Sequence, residues 1–111
     1  MDIILYNYLV NLAQNDGLKA YSEVAPLLGL DMSIENDRDD IANRLGVIAE
    51  FEQANGRPML TSLIVHYGND NNPGEGYFSM AQTLGLYNGS RNAIDRLTFW
   101  AGQVRDVYNY W

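Results

Sequence analysis

The densest gathering of chemically capable side chains is residues 66–78, HYGNDNNPGEGYF, which holds the only histidine, four consecutive Asn or Asp residues and a GxG. A calcium loop needs oxygen ligands at alternating positions, then glycine, then a distant glutamate. Here Asp70 runs into Asn71, Asn72, Pro73 and Gly74, so the spacing fails, and Asp70 and Glu75 are few carboxylates for a hard dication. A phosphate cradle would use the free N–H groups of PGEGYF at a helix start, yet no lysine follows and Glu75 would repel the anion. A polar turn needs no ligand, because Asn and Asp tolerate left-handed backbone angles and Pro73-Gly74 fits a type II turn. The stretch therefore reads as a strand exit and turn leading into a helix, and neither a metal nor another cofactor is expected.

Catalysis finds little support in the same residues. His66 has no Ser or Cys nucleophile motif and no second histidine to work with, so it reads as a structural residue at a strand end. An enzyme assembled from His66, Asp70, Glu75 and Arg57 around the loop is accordingly the third-ranked function class. Carboxylates are concentrated elsewhere. Residues 1–56 carry ten acids against Lys19, Arg38 and Arg44, whereas residues 57–111 carry four acids and four arginines, so the net charge of −7 belongs to the front half. Its densest run is DMSIENDRDD, with Asp31, Glu35, Asp37, Asp39 and Asp40. Such a run repels phosphates and attracts cationic surfaces. Exposed carboxylates keep ordinary pKa values, which argues against a catalytic pair there.

The elements that position these groups follow from composition and periodicity. A chain of 111 residues with 47% hydrophobic content makes one domain, 1–111. Without cysteine there is no disulfide framework, no thiolate nucleophile and none of the usual structural zinc sites. The opening MDIILYNYLVNLAQ has no basic n-region and reads as a helix, and no apolar run approaches the ~20 residues of a membrane span, so a soluble cytoplasmic protein is expected.

Residues 3–14 place Ile4, Leu5, Tyr8, Leu9 and Leu12 on one helical face, with Gly17 suited to the stop. Ser22 can cap a short helix with Val24, Leu27 and Leu28 inward and Gly29 closing it. A third helix over 36–54, capped by Asn36 or Asp37, buries the stripe Ile41, Leu45, Ile48 and Glu52. The β-branched run in MLTSLIVHY predicts a strand over 59–67, with LIV covered on both faces and LKAYS pairing beside it. Residues 76–84 predict a helix stopped by Gly85. A last helix from about 91 carries the stripe Ile94, Leu97, Ala101, Val104, Tyr108 and Trp111, with Phe99, Trp100, Val107 and Tyr110 flanking it. The fold class is α+β, mainly α-helical: five helices with a small two- or three-stranded sheet and a winged-helix-like N-terminal half.

Within that half, Tyr21, Ser22, Val24, Ala25, Leu28 and Gly29 are similar to the DNA-binding helix-turn-helix of alkylguanine alkyltransferases and alkyltransferase-like proteins. Those enzymes need a Pro-Cys-His-Arg site, and a chain without cysteine carries no implication of alkyl transfer. The wider set YSEVAPLLGL, GRPMLTSLIV, NPGEGYFSMA and the tryptophan-bearing last helix resembles small proteins of bacteria and their phages, a resemblance that implies no particular activity.

Two function classes lead. The first is a small acidic non-enzymatic protein-binding module, in its sharper form a phage-type inhibitor of the anti-restriction or anti-CRISPR class that imitates nucleic-acid charge. Its partner would be another protein, such as a basic nucleic-acid-binding protein, met by Asp31, Glu35, Asp37, Asp39, Asp40, Trp100, Tyr110 and Trp111. The aromatic last helix also suits a homodimer. The second is a winged-helix-like nucleic-acid-binding regulator using Arg91, Arg96 and Arg105. Direct duplex binding is disfavoured, because the third helix would set carboxylates where phosphates approach.

Overall fold

A computed structural model describes residues 1–67 and 71–111. In chain order the elements are α1 (Ile3–Gln14), β1 (Lys19–Ala20), α2 (Tyr21–Val24), a 3₁₀ turn (Ala25–Leu28), α3 (Glu35–Ala54), a second 3₁₀ turn (Leu60–Leu63), β2 (Ile64–Val65), α4 (Glu75–Thr83) and α5 (Ala93–Tyr110). The fold is thus α+β and mainly helical, with five helices and one two-stranded sheet among the described residues. β1 and β2 pair in parallel, Lys19 with Ile64 and Ala20 with Val65, so the front segment does lie beside the LIV run. After the third helix, the antiparallel pairing among the described residues is the isolated bridge of His66 with Asn72. No helix among the described residues is long and apolar enough to cross a membrane.

The strand expected over 59–67 is mostly something else. Leu60, Thr61, Ser62 and Leu63 form a 3₁₀ turn, and only Ile64 and Val65 are extended. This turn is the buried hub of the fold, packed on by α1, α3 and α5. A central strand there would need hydrogen-bonding neighbours on both edges, and helices cannot supply them. Instead Ser62 N–H donates to the Met59 carbonyl, the Trp100 indole donates to the Ser62 carbonyl at 2.8 Å, and Met59 N–H donates to Gln103 Oε1 at 3.0 Å.

Those two contacts also set the roll of α5. They turn Trp100, Gln103 and Val107 inward, so Val107 is buried while Ile94 and Leu97, expected on the inner stripe, are 73% and 59% exposed. Smaller departures have local causes. Ile4 stands outside the α1 stripe, which is Leu5, Leu9, Leu12 and Ala13. Asp16, not Gly17, takes the left-handed angle after α1, and Gly29 does so after the first 3₁₀ turn. Ala20, held in β1, occupies the N-cap of α2 in place of Ser22, and Leu27 faces outward. α3 starts at Glu35 with Ile34 before it, because the Asp37 carboxylate instead accepts from Asp31 N–H at 2.9 Å. Its stripe Ile41, Leu45, Ile48 and Glu52 is buried.

Two apolar clusters result. The larger joins α1, α3, the second 3₁₀ turn and Val107, and the smaller gathers Ala49, Met59, Tyr77, Phe78, Ala81 and Tyr87 with Phe99 and Trp100 against it.

Candidate functional site

α3 carries the acidic run, and its helical spacing divides that run by direction. Glu35, Asp39, Asn43, Val47 and Glu50 share its exposed outer face. Asp40 lies on the flank toward α1, where Arg44 pairs with both Asp40 at 2.9 Å and Asp2 at 3.0 Å. Asp31 sits in the preceding turn and accepts from the Ser33 hydroxyl and N–H, which lowers its pKa.

The ion pairs decide where net charge appears. Lys19 pairs with Glu23, Arg44 with Asp2 and Asp40, Arg57 with Glu52, Arg91 and Arg96 with Glu75, and Arg105 with Asp106. Arg57 to Glu52 is the one such pair among the described residues that links the back half to the front, and it does not touch the run 31–40. Seven described carboxylate side chains make no ion pair, and five of them, Asp31, Glu35, Asp37, Asp39 and Glu50, lie between 31 and 50. Glu35, Asp39 and Glu50 therefore make an anionic strip along the outside of α3, while Asp31 and Asp37 sit at its N-terminal end, where the Asp37 carboxylate accepts from Asp31 N–H.

At the far end of α3 stands an aromatic corner. Tyr6 meets Phe51 and Trp111 edge-on, with centroids 5.8 and 6.4 Å apart, and Trp111 meets Tyr110 at 4.8 Å. The Arg57 guanidinium lies 5.1 Å over the Phe51 ring while holding Glu52. Phe51 is 40% and Tyr110 53% exposed. Tyr110 and Trp111 are thus brought together, but Trp100 belongs to the second cluster. From Asp37 to Phe51 the helix rises about 21 Å, so the acidic and aromatic candidates mark two ends of one edge. Tyr6 and Phe51 were missed because each lies just off its helix's buried stripe, and their pairing requires α1 and α3 to run side by side.

Comparison with family models, curated proteins and solved structures finds no match.

The remaining candidates separate. Glu75 faces Arg96 in a two-pronged pair of 2.7 and 3.0 Å, which lowers its pKa. Arg105, beside Asp106, is more than two turns further along α5. His66 stacks on Tyr21 at 4.3 Å, its backbone N–H donates to the Asn72 carbonyl, and partial burial lowers its pKa. Gly74 has φ 86° and ψ 175°, so Pro73-Gly74 is not a type II turn, whose second central residue needs ψ near 0°. Its N–H bonds to Asn72 Oδ1, closing an Asx turn at the head of α4. Glu75 is paired with Arg91 and Arg96 and Arg57 with Glu52, Asp70 lies outside the described residues, and no hydrogen bond or ion pair seen among the described residues joins His66 to Glu75 or Arg57.

Proposed function

We propose that this chain is a small non-enzymatic protein-binding module that sets the outer face of α3 against a cationic protein surface. The carrying observation is the strip of Glu35, Asp39 and Glu50, with Asp31 and Asp37 at its head, none in an ion pair among the described residues, in a protein whose cations are almost all taken up by other carboxylates. Glu35 and Asp39 are one helical turn apart, roughly 6 Å, comparable to the spacing of phosphates along a nucleic-acid strand. A basic groove that holds nucleic acid is the partner surface such a strip fits, which makes the module an inhibitor by charge imitation. Complementary charge speeds encounter and makes the complex salt-sensitive.

The test is a photo-crosslinking amino acid at Val47, on the strip and away from its charges, used in bacterial lysate. The expected product is a basic protein whose capture is displaced by duplex DNA, weakened by added salt and lost in Glu35→Gln/Asp39→Asn/Glu50→Gln. Capture that ignores DNA, or that survives the triple variant, removes the reading.

A further inference from the structure

We propose that the cleft between α3, α4 and the Tyr21–His66 stack is a binding site for a small aromatic monocarboxylate, with Arg38 pairing its carboxylate. The cleft has a volume of about 240 Å³. Its walls are Met32, Ile41, Leu45, Tyr77 and Met80, so most of what a ligand would touch is apolar, and they descend to buried Ile41 and Leu45. Gly46 and Ala42 form part of the α3 wall and contribute almost no bulk; at Gly46 the Met80 methyl group takes up the room, 2.9 Å from where a Cβ would stand.

Arg38 is the charged residue of this lining. It is also the one cationic side chain among the described residues with no carboxylate partner. One of its N–H groups donates to the Met32 carbonyl at 3.0 Å, which holds the guanidinium at the cleft while leaving most of its donor fork unused. A free guanidinium beside an apolar cleft selects a ligand with an apolar body and a planar anionic head, because arginine meets carboxylate through two parallel hydrogen bonds.

Three further features narrow the ligand. The volume falls just below the roughly 300 Å³ at which ligand clefts ordinarily begin, so the body is one or two rings. Aromatic side chains and two thioethers line it, surfaces that favour contact with a flat π-system. Glu35, Asp37 and Asp39 adjoin Arg38 in the chain and no cation neutralises them, so they oppose a phosphate dianion about twice as strongly as a monoanion. None of the outer-face residues Glu35, Asp39, Asn43, Val47 and Glu50 lines the cleft, and the proposal does not depend on the protein partner.

The experiment titrates isotope-labelled full-length protein with benzoate, indole-3-acetate, their primary amides and inorganic phosphate, following the methyl signals of Met32, Thr61 and Met80. Both acids are expected to shift these signals, with the amides weaker by about tenfold, the loss of a charge-assisted pair, and phosphate inert. Arg38→Gln, on an exposed helical position, should lower acid affinity to that of the amide, and Ala42→Leu should block acid and amide alike. Equal binding of acid and amide, undiminished acid binding by Arg38→Gln, binding of phosphate at the same site, or no methyl shift with either acid overturns the proposal.

Discussion

The Tyr6 hydroxyl donates to Glu52 Oε1 at 2.7 Å, joining α1 to α3 across a gap of 46 residues. Glu52 is fully buried, and its other contacts are the two hydrogen bonds from Arg57 at 3.0 Å. A carboxylate at the end of an apolar stripe is tolerated only because three donors converge on it. Glu52→Ala should destabilise the protein by about 3 kcal/mol, since it leaves Arg57 unpaired against an apolar core, whereas Tyr6→Phe should cost about 1 kcal/mol. Urea unfolding measures both, and equal effects would mean that Arg57 is not held by Glu52.

The same contact bears on alkaline stability. Burial, reinforced by the neighbouring Glu52 carboxylate, pushes the Tyr6 pKa up to about 12, and burial alone pushes Tyr21 up to about 12. The unfolded chain ionises these groups near 10.0. Their contribution is therefore complete below about pH 10 and is lost as pH rises through about 12. The urea midpoint should be level from neutrality to about pH 10 and then fall, and Tyr6→Phe/Tyr21→Phe should reduce that fall, the remainder coming from Tyr77, Tyr67 and Tyr108, whose pKa values are also raised. A wild-type midpoint that stays level up to about pH 12 contradicts this.

Gly74 is fixed by its backbone and by its neighbour. At φ 86° and ψ 175° it occupies a region almost restricted to glycine. A Cβ there would lie 2.8 Å from His66 Cδ2 and 2.9 Å from Nε2. Gly74→Ala should cost about 2 kcal/mol and push the imidazole off the Tyr21 ring, changing the ring-current shift of the His66 protons in NMR spectra. Unchanged stability with unchanged His66 signals would show that the stack does not rest on Gly74.

The outer-face carboxylates should prove dispensable for folding. Glu35→Gln/Asp39→Asn/Glu50→Gln removes three charges that no cation neutralises, so self-repulsion falls. Its urea midpoint should match or exceed the wild type, with any change in stability within about 0.5 kcal/mol. A loss of several kcal/mol would mean that these side chains hold the fold.

Local pattern sufficed for some features. The helix over 3–14, the stripe Ile41, Leu45, Ile48 and Glu52, the stop at Gly85 and the concentration of acid in the front half are all legible, because helical period, glycine stops and charge counts depend on near neighbours. The residues of LTSL and of the last helix were not. LTSL has β-branched neighbours and reads as strand, yet its surroundings are helices, so a 3₁₀ turn satisfies its backbone. In α5 several stripes are nearly equally apolar, and only the anchoring of Trp100 to Ser62 and of Gln103 to Met59 chooses among them.

The candidate sites divide in the same way. That residues 31–40 are strongly acidic is a property of the sequence alone. Which carboxylates remain unpaired is not, because Asp40 shares Arg44 with Asp2 across 42 positions and Glu75 meets Arg96 across 21. The cleft beside Arg38 is likewise invisible in one dimension, since its walls come from α2, α3, the second 3₁₀ turn and α4. Sequence determined where charge and apolar surface were available; tertiary packing decided which charges were neutralised and which apolar faces met, because ion pairing and burial depend on separations that the linear chain does not record.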